Sequence, residues 1–244
     1  MHNCYYYVIA FDFDGTLVDT MHEYGEIAAN EMVKRYDLSL DIARQLYVKT
    51  SGIPFSQQLK QIFGHDARNS ECANQFEIKK AKYLESVDLS TTTIEVLETI
   101  KKLGLSIAVT SNNFQRLIDN FLERNSDLFD LVLGFGDGFM KGPTQFNRVI
   151  DFFGIDRRHM LFVGDSLNDA RIGLACGFDT VAISGTSNSD IFTSLFEDIT
   201  VIDRLYELIL LLKDNTPLIN TKFGKIYESN NSCSRFWKSS RISN

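Results

Sequence analysis

The stretch Tyr5-Tyr6-Tyr7-Val8-Ile9-Ala10-Phe11-Asp12-Phe13-Asp14-Gly15-Thr16 decides how the rest of the chain is read. Its first seven residues are aromatic, β-branched or small and apolar, with no polar alternate face, which is the pattern of a buried strand. The strand stops at a polar turn. In extended backbone the carboxylates of Asp12 and Asp14, at i and i+2, project to the same side. Carboxylates that close repel unless a cation lies between them or one is protonated. Gly15 lets the chain turn sharply just beyond. Taken alone, Asp-x-Asp-Gly also suits a turn-capping pair. The calcium-loop reading fails, since neither a further alternate Asx nor a closing Glu follows.

Working outward, the pattern changes at once. From Met21 to Glu85 apolar residues recur at helical spacing: Ile27, Ala28, Met32 and Val33, then Ile42, Leu46 and Tyr47, then Phe55, Leu59, Ile62 and Phe63. Phe76, Lys80, Tyr83 and Leu84 continue it less cleanly, and Gly52-Ile53-Pro54 separates two helices. No strand signal interrupts this stretch, so it reads as an all-helical insert. After Ser90 strands and helices alternate. The strands are Ser106–Val109, ending at Thr110-Ser111-Asn112, then 131–133, then Met160–Val163, ending at Gly164-Asp165, and 180–183. Helices are expected over 92–103, 114–123, 143–153, from Asp165 to Ala175, and over 203–212, with Gly104 and Gly154 as stops. Strand–helix alternation with apolar strands predicts an α/β fold, a parallel sheet covered on both faces. Five strands with polar C-terminal ends place one site along that edge.

Three of those ends carry further chemistry. Thr110 and Ser111 offer hydroxyls and turn amides, Lys141 sits in a loop with Gly134, Gly136, Gly138 and Gly142, and Asp165 and Asp169 add two carboxylates. The glycines do not make a dinucleotide loop, because Phe139 stands where a third glycine is required, and no G-x-x-x-x-G-K-[ST] loop is present.

The chain has 244 residues, a net charge of −7, 44% hydrophobic and 23% charged residues, so it can bury a real core. That charge excludes a protein built chiefly to grip nucleic acid, whose affinity rests on phosphate neutralisation. Cys4, Cys72, Cys176 and Cys233 are scattered without a Cys-x-x-Cys pair, which suits a reduced interior. No signal-like segment precedes the first strand, and no apolar run approaches the roughly 18–20 residues of a membrane span. The expectation is a soluble cytoplasmic protein, free of membrane and nucleic-acid partners. Segment 216–244 differs: rich in Ser and Asn, it carries Lys222, Lys225, Arg235, Lys238 and Arg241 against Glu228, and reads as a basic, loosely ordered tail.

With these motifs in hand, the chain resembles the haloacid dehalogenase-like hydrolases. Asp12-Phe-Asp14-Gly15-Thr16 matches the first family motif, Thr110-Ser111-Asn112 the second, Lys141 the third and Gly164-Asp165-Ser-Leu-Asn-Asp169 the fourth. The resemblance implies a Rossmann-like core over 1–17 and 89–215. It also implies a helical cap over 18–88, similar to that of the phosphoglycolate phosphatase and β-phosphoglucomutase group. Under it Asp12 is the nucleophile that becomes an aspartyl-phosphate and Asp14 the acid and base. Mg²⁺ would be held by Asp12, the Asp14 main-chain carbonyl and Asp165, with Asp169 orienting Lys141 or a metal-bound water. Lys141 neutralises charge, while Gly15, Thr16, Thr110, Ser111 and Asn112 hold the phosphoryl oxygens. Gly52, Ile53 and Phe55 would face the substrate from the cap.

The retained Asp14 favours phosphoryl transfer over halide displacement, which needs no proton donor for an alkoxide. Mutases of the group place a His and an Arg on the cap, where alignment puts Tyr24 and Phe55, with His22 two residues away. The expected activity is therefore a Mg²⁺-dependent phosphatase acting on a small phosphorylated metabolite. A phosphomutase of the β-phosphoglucomutase type, or a non-catalytic binding module on the same fold, are the alternatives.

Overall fold

The computed structural model describes residues 6–185 and 187–215. The basic segment 216–244 lies outside the described residues, as do Cys4 and Cys233. Strand β1 (Val8–Phe11) is wholly buried, with Ile9 and Phe11 in one apolar cluster and Val8 and Ala10 in another. That division is the two-sided burial its unbroken apolar run requires.

Four helices follow without a strand: α1 (Met21–Val33), α2 (Leu40–Lys49), α3 (Phe55–Phe63) and α4 (Asn69–Leu84). The Ser39 hydroxyl caps α2 by accepting from the Ile42 N–H, and Pro54 directly precedes α3. The apolar periodicity of α2 proved partly misleading. Ile42 is 48% exposed, and the buried positions are Ala43 and Tyr47. Tyr47, Phe55 and Phe76 instead build an aromatic cluster inside the insert, Phe55 and Phe76 having centroids 4.3 Å apart.

The alternating part comprises α5 (Thr91–Lys102), β2 (Ser106–Phe114), α6 (Gln115–Leu122), β3 (Leu131–Phe135), α7 (Pro143–Phe153), β4 (Met160–Gly164), α8 (Leu167–Ala175), β5 (Asp179–Ile183), α9 (Ser189–Leu195), β6 (Thr200–Ile202) and α10 (Leu208–Asn215). The sheet is parallel throughout, in the order β3-β2-β1-β4-β5-β6. Three expectations needed correction. Strand β2 does not end at Val109 but runs through Thr110-Ser111-Asn112 to Phe114, with a register irregularity against β3 between Thr110 and Phe114. The helix expected from Phe114 to Glu123 is α6, closing at Leu122 before a 3-10 turn. The sheet has six strands rather than five, because the three-residue β6 pairs with β5.

The chain leaves β1 toward β2 and β3 on one side, then crosses back to β4, β5 and β6 on the other. The order therefore reverses at β1 and β4, and the crevice at their carboxyl ends is where such sheets take ligands. Among the described residues no helix is long and apolar enough to cross a membrane.

Candidate active site

Asp12 lies at that reversal. Its N–H donates to the Val163 carbonyl at 2.8 Å, tying the end of β1 to β4, and its side chain is almost wholly buried. Asp14 follows on the turn, where the Thr20 hydroxyl donates to Oδ1 at 3.0 Å and the Asn113 amide to Oδ2 at 3.2 Å. Gly15 adopts φ +82°, and a Cβ there would collide with the Asp165 carboxylate. This position therefore needs glycine for both backbone conformation and space.

Lys141 reaches the same point from the loop before α7. Its buried ammonium lies 2.9 Å from Asp12 Oδ1 and 2.5 Å from Asp169 Oδ1. Asp169 is fixed by the start of α8: its Oδ2 accepts from the Ser166 N–H and hydroxyl, while the Ser166 hydroxyl accepts from the Asp169 N–H. This reciprocal cap both begins the helix and aims the other carboxylate oxygen at Lys141. The resemblance left Asp169 to orient either Lys141 or a metal-bound water, and in the structure its Oδ1 contacts Lys141.

Carboxylate oxygens of Asp12, Asp165 and Asp169 lie within 4.8 Å of one another, all three buried. One ammonium cannot balance three carboxylates. Burial, opposed by Lys141 and reinforced by Asp169 and Asp165, pushes the Asp12 carboxyl well above its ordinary range. Burial works to deprotonate Lys141, but the charges of Asp12 and Asp169 outweigh it and hold the lysine protonated. An all-carboxylate donor set with surplus negative charge fits a hard divalent cation.

A cavity of about 70 Å³ opens onto this cluster. Asp12, Asp14, Asp165 and Lys141 line its core side; Gly52, Ile53 and Phe55 line it from the helical insert. Ser111 and Asn112 also line it, whereas Gly15, Thr16 and Thr110 lie behind the lining. The hydroxyls of Thr16 and Thr110 are buried and lack a hydrogen-bond partner among the described residues. Asn112 is engaged at both ends of its amide, donating to the Gly52 carbonyl at 3.0 Å and accepting from the Lys141 N–H at 3.0 Å.

Several lining or supporting residues were not anticipated. Thr20 and Asn113 hold Asp14, Asn168 donates to the Gly52 carbonyl at 2.9 Å, and Glu77 and Lys80 reach the cavity from α4. Asn113 directly follows a recognised motif, so a signal was available; Lys80 shares the inward spacing of Phe76 and Leu84, but that spacing does not say that it and Glu77 meet a cavity. Tyr24 and Phe55 both line the cavity, while His22 is exposed and does not.

A family model described as haloacid dehalogenase-like hydrolase matches residues 9–183. The phosphoglycolate phosphatase of Pseudomonas savastanoi is 27% identical over 214 residues, covering 83% of this chain and 78% of that protein. A pyrophosphatase of Bacillus velezensis is 24% identical, covering 82% of this chain and 94% of that protein. Among solved structures, a haloacid dehalogenase-like family hydrolase from Streptococcus pneumoniae superposes with a TM-score of 0.69 at 17% identity, over 86% of this chain and 99% of that one.

Proposed function

Because this chain belongs to the haloacid dehalogenase-like hydrolases, we propose that it is a Mg²⁺-dependent phosphatase that hydrolyses a small phosphorylated metabolite through an aspartyl-phosphate on Asp12. The observation that carries this reading is the buried carboxylate cluster gathered on Lys141 beneath a small cavity. Segments 1–17 and 89–215 act as the core, and 18–88 acts as the cap that shuts the cavity.

Phosphate monoesters resist hydrolysis so strongly that enzymes accelerate it by up to ~10²¹-fold. A carboxylate nucleophile divides the step in two. Asp12 attacks phosphorus, the bond to the leaving oxygen breaks, and Asp14 delivers its proton to the departing alkoxide. After the alcohol leaves, Asp14 takes a proton from water, which attacks the phosphorus and returns Asp12 as a free carboxylate. Thr20 and Asn113 keep both oxygens of Asp14 fixed for these transfers. Lys141 offsets charge on the nucleophile and on the incoming phosphoryl group. Ser111, which lines the cavity, is the hydroxyl placed to meet the phosphoryl oxygens, with the buried Thr16 and Thr110 hydroxyls behind it. Mg²⁺ held by Asp12, the Asp14 main-chain carbonyl and Asp165 would supply electrostatic stabilisation of the same charge. Tyr24 and Phe55 on the cap wall, with His22 outside it, support hydrolysis over phosphoryl transfer between sugar positions.

Hydrolysis of 4-nitrophenyl phosphate tests the reading. It is expected with Mg²⁺ and to vanish with EDTA, and Asp12→Asn should lower kcat by at least about 10³-fold. Metal-replete protein that is inert, or indifferent to Asp12→Asn, overturns it.

A further inference from the structure

The cavity wall built by α4 is charged yet balanced. Lys80 Nζ stands 3.3 Å from Glu77 Oε2, and it lies 5.4 Å and 5.6 Å from the ring centroids of Tyr24 and Phe76. The ring faces stabilise the ammonium in place. Glu77 Oε2 is buried and receives no aligned hydrogen bond even from Lys80, and the buried Tyr24 hydroxyl faces the Asp14 carboxylate but makes no well-aligned hydrogen bond among the described residues. Burial, with the nearby Asp14 charge, holds the Tyr24 phenol neutral. Besides Lys80, the only other cation lining the cavity among the described residues is Lys141, already engaged by Asp12 and Asp169.

From this arrangement we propose that Glu77, Lys80 and Tyr24 form the subsite for the leaving group, and that they select a small neutral alcohol bearing a second hydroxyl over a carboxylated one. The proposal rests on the phosphatase reading and specifies its substrate class. A hydroxyl donates once and accepts twice, so it satisfies Glu77 Oε2 while accepting from Tyr24 or Lys80. A carboxylate only accepts. It would leave Glu77 unanswered and set two carboxylates together in a small cavity, a site of the kind that discriminates strongly. The cavity holds on the order of five water-sized groups, which suits the phosphoryl group plus a leaving group of a few heavy atoms. The carboxylated ester named by the relatives is thus the poorer fit to this wall.

Three esters of similar size separate the possibilities: 2-hydroxyethyl phosphate, ethyl phosphate and phosphoglycolate, each assayed with Mg²⁺ for kcat/KM. The wild type is expected to favour the hydroxyethyl ester over the other two by about tenfold or more. Glu77→Gln should cut the hydroxyethyl-to-phosphoglycolate ratio about tenfold, and Tyr24→Phe should cut the hydroxyethyl-to-ethyl ratio. Ratios within one preparation are independent of how much of a variant folds. Wild-type preference for phosphoglycolate, or ratios that neither substitution moves, overturns the subsite while leaving the phosphatase reading intact. Failure of the wild type to hydrolyse 4-nitrophenyl phosphate removes both.

Discussion

Asp14 illustrates how much of the site is held by single side chains remote in sequence. Its two oxygens are fixed by Thr20 and by Asn113, the latter 99 positions away. A proton donor matters most when the leaving oxygen is a poor one, so losing Asn113 should be felt unevenly. Asn113→Ala is expected to lower kcat about 10- to 100-fold on an alkyl phosphate and clearly less on 4-nitrophenyl phosphate, whose leaving group needs little protonation. Equal losses on the two esters count against a positioning role. Gly15 makes a second residue-scale case. Gly15→Ala would force a side chain into left-handed backbone and against Asp165. Aryl phosphatase activity is expected to fall at least about 100-fold, with circular dichroism still showing a folded protein. The Asp12–Asp14 pair and Gly15 were legible because the chemistry lies within four consecutive residues. The roles of Thr20 and Asn113 were not, since nothing local says which distant side chain a carboxylate will meet.

At the scale of elements, the cap helices are joined by a buried carboxylate. Glu31 on α1 accepts from Lys34 and Arg35 on or just after the same helix and from Lys79 on α4. Burial alone would raise its pKa, but these three cations outweigh burial and hold the carboxyl down to about 2. A carboxyl depressed in the folded state adds stability that is complete above its unfolded value near 4.5 and is lost as pH falls toward 2. The pair network is therefore worth at most about 3 kcal/mol at neutral pH. Glu31→Gln should lower the thermal midpoint at pH 7 and flatten its decline between pH 5 and pH 2.5, measured by calorimetry. An unchanged slope over that window rules out the network as its source. The elements themselves were legible in proportion to their length. Helices α1 to α3, α5 and α7 stand where spacing and the Gly104 and Gly154 stops put them, whereas α4 begins before its apolar spacing does and β6 has only three residues and needed its partner strand to declare it. Lys80 did fall on the inward spacing of α4, yet periodicity reports which face is buried and says nothing of what a buried lysine meets.

For the whole molecule, the question is what brings the cap onto the core. One carbonyl stands at the junction. Gly52 oxygen accepts from Asn112, at the end of β2, and from Asn168, at the start of α8. Within the cap, Gln58 braces the same loop by donating to the Ile53 carbonyl and accepting from the Thr50 hydroxyl. Gly52 also fits closely: a Cβ there would strike Asn168 and the Ser166 hydroxyl. Closure is thus read out by the start of α8, which carries Asp169, and by the strand end whose Asn112 holds the Lys141 backbone. Each hydrogen bond is worth about 0.5–1.5 kcal/mol net, so removing one should shift the closed-to-open ratio by up to about tenfold. On the proposed reading, substrate enters through an opened cap and reacts under a closed one. Asn168→Ala is accordingly expected to reduce amide hydrogen-exchange protection in residues 50–55 by several-fold, while amides of β1 and β4 exchange as before. Kinetically it should depress kcat/KM for a metabolite-sized alkyl phosphate. Asn112→Ala should do the same, and the double variant should lose less than the sum of the two effects, because both amides act on one acceptor. Full additivity, or loss of protection spread into the central strands, would mean that the asparagines support the core and do not latch the cap.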